Sequence, residues 1–198
     1  VKASPCSGLD TLSGEGLIEA MTGAQIAVDV TDAPSADGKA AMDFFKTSSR
    51  NVMDAGYSAG IRHHIVLSYV GADRLRDSGY MRAKIAQEEI VRGAGIPYTI
   101  VRSTQAFESI NKLARRDAKG EVRLPSVLMQ PVGSEDIAAV LGDIVGAAPL
   151  NGMLEIAGPE QVSLSELARQ VLSAREDPRQ ILVDPAALYF GALVDRES

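Results

Sequence analysis

The run Ile65-Val66-Leu67 is the strongest constraint on the fold. It is apolar at consecutive positions, so a strand there must be covered on both faces. Such strands occur in parallel sheets flanked by helices on each side. The rest of the chain repeats the theme, with short apolar runs alternating with helical periodicity, the signature of βα units. The first clear strand is Gln25–Thr31, closed by the turn-forming cluster Asp32-Ala33-Pro34-Ser35. A helix is expected from Ala40 to Ala55, where Ala41, Phe45, Ser48, Val52 and Ala55 share a face. Strand His63–Tyr69, helix Tyr80–Arg92 and strand Tyr98–Arg102 follow, the last opened by Ile96-Pro97. A further helix is expected over Gln105–Arg116. The segment 118–132 reads as a loop with one or two short strands.

Ser134 is expected to N-cap a helix carrying Ile137, Val140, Leu141, Ile144 and Val145. Met153–Ala157 reads as a short strand. Ser163 and Glu166 form a capping box ahead of Leu167, Ala168, Val171 and Leu172. Gly14–Met21 reads as a brief helix, and the last twenty residues are weakly patterned. There is no repeat or low-complexity tract.

Size and composition narrow the function. The 198 residues, 45% hydrophobic and 23% charged, suit one domain with a real core. A net charge of −6 argues against a broad phosphate-binding surface, so nucleic acid is not expected as a partner. No run approaches the ~18 consecutive apolar residues of a membrane span. The single cysteine, Cys6, rules out an intramolecular disulfide and suits a reducing, cytoplasmic setting. His63-His64 opens a buried strand, and no metal site is expected there. Lys112, Arg115, Arg116 and Lys119 read as a solvated basic face.

The sharpest chemical feature is Tyr80-Met81-Arg82-Ala83-Lys84. Residues four apart share a helix face. An ammonium beside a phenol favours the phenolate and lowers its pKa, which suits a general acid/base tyrosine. Ser68 lies at the carboxyl end of the strand before this helix. The neighbouring strand ends carry Thr31-Asp32-Ala33-Pro34-Ser35 and Arg102-Ser103-Thr104-Gln105. Ligands of open parallel sheets lie beyond these carboxyl ends. Each cluster taken alone is also ordinary turn and capping chemistry.

In order along the chain, these stretches resemble the atypical short-chain dehydrogenase/reductases of the NmrA-like, NAD(P)H-binding type. They are Val28-Asp29-Val30 with Pro34-Ser35, Ala59 through Ser68, Ser78 through Glu88, Gly95 through Arg102, Pro131-Val132 with Asp136-Ile137-Ala138, and Ala157-Gly158-Pro159-Glu160. The resemblance implies a Rossmann-type, doubly wound parallel sheet with a small C-terminal substrate-binding portion. Segments 118–132 and 150–198 would form that substrate-side lobe. It implies that Tyr80 exchanges a proton with the substrate, Lys84 holds the nicotinamide ribose and tunes Tyr80, and Ser68 orients the substrate oxygen. Thr31, Asp32, Ala33 and Pro34 would pass along the cofactor, and Ser103, Thr104 and Gln105 would face the nicotinamide. Phe107 would lie near the substrate; Met129, read from the sequence alone, either lines the substrate cleft or simply packs. Asn51 would be structural.

The family's glycine-rich turn after a first strand is not found. The expectation is that Val1–Ser4 ends a second strand, with the first strand, glycine loop and helix, roughly 30 residues, before residue 1. The missing initiator Met agrees with this. Ser4 and Ser7 would then lie where the family chooses its cofactor. With no acidic residue at that tip and Lys2 nearby, NADP(H) is favoured over NAD(H).

Three functions stay open. The first is an NAD(P)H-dependent oxidoreductase acting on a small carbonyl or quinone-like acceptor. The second is a non-catalytic redox sensor that binds NADP(H) and a protein partner. The third is a nucleotide-sugar epimerase-like enzyme. A homodimer is left open.

Overall fold

The computed structural model describes residues 8–110 and 121–194. Its main body is a parallel sheet with helices on both faces, as the apolar run in residues 65–67 requires. A short helix, α1 (Leu17–Met21), precedes β1 (Ile26–Asp29). β1 is shorter than the sequence suggests because the Asp29 carboxylate accepts from Thr31 N at 2.9 Å and turns the chain. α2 (Gly38–Ala59) is longer than expected at both ends. Asp37 caps its start by accepting from Ala40 N, and Gly60 ends it in the left-handed region at φ 77°.

β2 (His63–Tyr69), α3 (Gly79–Gly93) and β3 (Tyr98–Ser103) follow closely where the apolar pattern puts them. Ala106 then bridges Val132, and Phe107–Ser109 form one 3-10 turn where a longer helix was expected. Residues 111–116 of that expected helix lie outside the described residues, as do Lys2, Ser4, Cys6, Ser7 and Lys119.

β4 (Val122–Leu124) and β5 (Leu128–Met129) precede α4 (Ser134–Val145). Ser134 is not the N-cap of α4. Gly133 takes that position, and Ser134 N donates to the Glu108 carboxylate at 3.2 Å, so a distant acid does the capping work. β6 (Gly152–Ile156), β7 (Val162–Ser163), α5 (Leu164–Ala174) and β8 (Ile181–Val183) complete the order. Ser163 caps α5 by accepting from Glu166 N, as its capping box implies.

The main sheet runs β1-β2-β3-β6, all parallel, with Val28 opposite Ile65, Val66 opposite Ile100, and Val101 opposite Leu154. Alternate strand residues feed two cores. Val66 and Ile100 pack with Met53, Val91 and Ile96 under α2 and α3. Ile65 and Val101 pack with Ile137, Leu141 and Ile144 of α4 on the other face. A smaller cluster joins Val122 and Leu124 of β4 to Leu164, Leu167 and Ala168 of α5. Here β4 pairs with β8, and β5 with β7.

Two contacts fix α3, the helix that carries Tyr80 and Lys84. At its start, Gly79 meets Gly38 of α2 so closely that a Cβ on Gly79 would sit 2.7 Å from Gly38 Cα. Further along, the fully buried Glu88 carboxylate takes a two-pronged hydrogen bond from Arg102 of β3, both contacts at 2.9 Å. Asp73 adds a 3.1 Å contact to the same guanidinium. Burial pushes the Glu88 carboxyl up, but Arg102, then Ser68, outweigh it and hold the group below its ordinary range.

Asn51 is structural. Its Nδ2 donates to Thr11 O and Leu12 O at 3.0 and 2.8 Å, tying the N-terminal loop to α2. His63 and His64 are buried, and His63 Nε2 lies 2.9 Å from Thr99 Oγ1. Burial lowers both imidazole pKa values, with Asp29 partly opposing this at His64.

Gly79→Ala is expected to cost about 1–3 kcal/mol through overpacking against α2. Arg102→Leu is expected to cost about 3 kcal/mol, because it takes the two-pronged counterion from the buried Glu88 and leaves only the part-exposed Arg92. Urea unfolding measures both, and an unchanged midpoint in either variant contradicts the corresponding role.

Candidate functional site

The carboxyl ends of β1, β2 and β3 converge on two adjoining cavities of about 550 and 150 Å³. Both are lined by Asp32, Tyr69, Gln105 and Ser109. The smaller also reaches Thr31, Ser68, Lys84, Ser103 and Thr104. The larger reaches Ala33, Pro34, Tyr80 and a turn at residues 188–191. Most of the residues singled out from the sequence therefore meet at one end of the sheet.

Tyr80 and Lys84 share the inner face of α3, as their spacing requires, but they are not bonded to each other. The Tyr80 hydroxyl donates to the Asp32 carboxylate. Lys84 Nζ donates to Leu67 O at 2.8 Å and to Gln87 Oε1 at 2.6 Å, and lies 4.6 Å from the Phe45 ring centre. Gln87 passes the contact on to Asp29 Oδ2 at 3.3 Å. A cation tied down in this way does not favour a Tyr80 phenolate.

The electrostatics run opposite to the expectation from spacing. Burial, then Tyr69 and the Asp32 carboxylate, push the Tyr80 hydroxyl well above its ordinary pKa. Tyr80 is only 3% exposed and keeps its proton. Lys84 is lowered to about 8 by burial, with Asp29, Asp32 and Glu88 opposing. Tyr69 is raised to about 12, again mainly by burial and then by Asp32.

The other candidate residues fall into distinct positions. Ser68 shares the face of β2 with Val66, on the α3 side, and lines the smaller cavity with its buried hydroxyl left without a hydrogen-bond partner among the described residues. Thr104 Oγ1 donates to Gln130 O at 2.6 Å. Gln105 is held at both ends, donating to Ser109 Oγ and accepting from the Tyr189 hydroxyl at 3.3 Å.

Phe107 lies away from the two cavities. It lines a separate cleft of about 840 Å³ between α4, the end of β6 and α5, with Asp136, Glu155 and Glu160. That cleft is larger than either strand-end cavity, but it shares no lining residue with them and contains none of Ser68, Tyr80 or Lys84. The strand ends are where open parallel sheets bind ligands. Met129 packs into the α5 cluster with Ile110 and Leu164 rather than lining either cavity.

Sequence reasoning passed over the turn at Tyr189-Phe190-Gly191. The Phe190 ring stacks on Tyr80 at 5.0 Å and 26°. Phe45 and Tyr69 complete the aromatic surround of Tyr80, each 6.1 Å away. Adjacent aromatics before a glycine were the available signal, in a stretch with no periodicity to frame it.

Residues 6–147 match the sequence profile of the NAD(P)H-binding family. The chain belongs to that family. No curated protein matches it. Among solved structures, this NAD(P)H-binding chain is similar to a nucleoside-diphosphate-sugar epimerase from Staphylococcus aureus. Identity is 17% and the TM-score 0.66, over 90% of this chain and 63% of that one. It is similar to the triphenylmethane reductase of Citrobacter sp. complexed with NADP(H), at 19% identity and TM-score 0.65, over 90% and 61%. It is also similar to an NADPH-dependent quinone oxidoreductase from Escherichia coli, at 20% identity and TM-score 0.63, over 88% and 60%. The fold is thus Rossmann-type, and the chain spans about three-fifths of the length of these structures. Among the described residues no helix is long and apolar enough to cross a membrane.

Lys84 gives a direct test of the site's electrostatics. Below about pH 8 the ammonium is charged both folded and unfolded, and its burial counts fully against folding. Between about 8 and its ordinary value of 10.5 the folded chain sheds the proton first, so stability rises with pH. Urea midpoints for wild type relative to Lys84→Met should therefore improve from about pH 7 to about pH 10. A constant gap contradicts the lowered value.

Proposed function

We propose that this chain serves NAD(P)H-dependent reduction of a small carbonyl or quinone-like acceptor, as an NmrA-like short-chain dehydrogenase/reductase in the cytoplasm. The observation that carries the proposal is the meeting of Lys84, Tyr80, Asp32 and Ser103–Gln105 around adjoining cavities at the strand ends. Family membership supports it, and two of the similar structures are NADPH-dependent or NADP(H)-bound reductases.

The residues present fit the nicotinamide end of a dinucleotide. The cavity of about 150 Å³ is lined by the hydroxyls of Thr31, Ser68, Ser103 and Thr104 together with apolar Val30, Leu67 and Ile137, and Lys84 forms its one cationic wall among the described residues. Thr31, Asp32, Lys84, Ser103, Thr104 and Gln105 would hold that end. When bound, the cofactor supplies the hydride. NADP(H) is the form we favour, on Ser4, Ser7 and Lys2.

Tyr80 supplies the proton. Its raised pKa keeps it protonated at neutral pH but makes it a weak acid while Asp32 holds its hydrogen. One hydrogen cannot serve both Asp32 and an acceptor oxygen. Productive binding therefore exchanges the Tyr80–Asp32 bond for one from Tyr80 to the acceptor.

The lining of the larger cavity also bears on substrate. Among the described residues it includes no Lys or Arg. A nucleotide-sugar diphosphate calls for such partners. The sensor reading draws support from a different fact, the commitment of the Tyr80 hydroxyl to Asp32 with Lys84 bonded elsewhere.

Oxidation of NADPH and NADH across a panel of carbonyls and quinones separates these readings. Turnover is expected, with Tyr80→Phe slowing carbonyl reduction about 10²–10⁴-fold. Unchanged turnover in that variant removes Tyr80 from the chemistry. Tight NADP(H) binding with no turnover on any acceptor favours the sensor.

A further inference from the structure

We infer that the Tyr189-Phe190-Gly191 turn is the acceptor-selecting wall of the site, and that Phe190 favours a flat, uncharged, conjugated carbonyl ring over an aliphatic carbonyl. The inference rests on the reductase reading of the same site and names its substrate class.

The turn is built at a conformational cost. Phe190 has φ 48° and Gly191 φ 80°, successive left-handed residues in a tight hairpin turn closed by Tyr189 and Ala192, whose backbones exchange hydrogen bonds of 2.8 and 3.0 Å. Gly suits that geometry, as would Asn, but a phenylalanine is strained there. Strained residues persist where the surroundings over-determine them. The surroundings do so here. Ser78 Oγ donates to Phe190 O at 2.6 Å, from the same serine that caps α3. The Tyr189 hydroxyl donates to Gln105.

What the strain delivers is a ring in one place. Phe190 stacks on Tyr80, tilts against Tyr69 at 5.8 Å and lines the cavity of about 550 Å³. That cavity is therefore walled by the faces and edges of Tyr69, Tyr80 and Phe190, surfaces that stack on other rings. Its one charged lining residue among those described is Asp32, an acid, which disfavours carboxylate and phosphate substrates. Tyr80 and Phe190 line the same cavity, so a ring held against the free face or edge of Phe190 occupies space that the proton donor borders.

The test uses Phe190→Asn, which suits the turn but removes the ring, and Phe190→Leu, which keeps apolar bulk without a flat face. Steady-state kinetics with NADPH compare 1,4-naphthoquinone with hexanal. Both variants are expected to raise KM for the quinone about five- to tenfold, the size of a lost ring–ring contact, with hexanal little changed. The thermal midpoint of Phe190→Asn should fall by less than that of Phe190→Leu, because only the asparagine relieves the strained turn. Equal changes on both acceptors, no change on either, or a fall in midpoint with a uniform loss of kcat overturns the inference. Calorimetric titration with coumarin, a flat uncharged lactone, gives a readout independent of turnover. Binding to the wild-type chain that weakens by the same factor in the variants supports the wall even if no acceptor is reduced, in which case the reductase reading alone fails. No binding to the wild type, or equal binding to all forms, overturns the wall.

Discussion

The bidentate pair between Glu88 and Arg102 is the fixed point of this molecule. Tyr80, Lys84, Glu88 and Arg92 lie four residues apart in turn along one stripe of α3, and each finds a different partner. Arg102 is on β3, with both groups out of water, so the helix can neither slide nor rotate without stranding a charge. Two turns nearer the start of the helix, that rigidity decides where Tyr80 stands. The glycine contact with α2 fixes the other end. The site is precise because its supporting helix is pinned by charge at one end and by backbone contact at the other.

That arrangement explains why the same side chains behave unlike their spacing suggests. Tyrosine and lysine one helical turn apart can be coupled, but coupling depends on where the lysine's hydrogens go. Here two go to Leu67 O and Gln87, and the ammonium sits over Phe45. Asp32 becomes the neighbour that sets the acidity of Tyr80, after burial and Tyr69. A carboxylate from the preceding βα unit thus takes the place that local spacing assigns to a lysine.

The parts readable from sequence were those set by local pattern. The bounds of β2 follow from an unbroken apolar run, and α5 begins where Ser163 and Glu166 say it should. The strand-end clusters at residues 31–34 and 103–105 do surround cavities, because a parallel sheet sends consecutive carboxyl ends the same way. What escaped depends on distant partners. Glu108, not Ser134, satisfies the start of α4 across 26 residues. Met129 serves a core built by α5, and Ser68 borders the smaller cavity while strand parity puts it on the α3 side of the sheet. Phe190 has no periodic neighbours at all, and its role exists only through contacts with Tyr69, Tyr80 and Ser78.

The bond from Ser78 to Phe190 joins residues 112 apart in sequence. Closing so long a loop is entropically expensive, and it follows rather than leads the local βα pairings. The sheet and its two cores can therefore assemble while the aromatic wall is still absent. During synthesis the Phe190 ring cannot cover Tyr80 until residue 190 has left the ribosome, well after β2, α3 and β3 have done so.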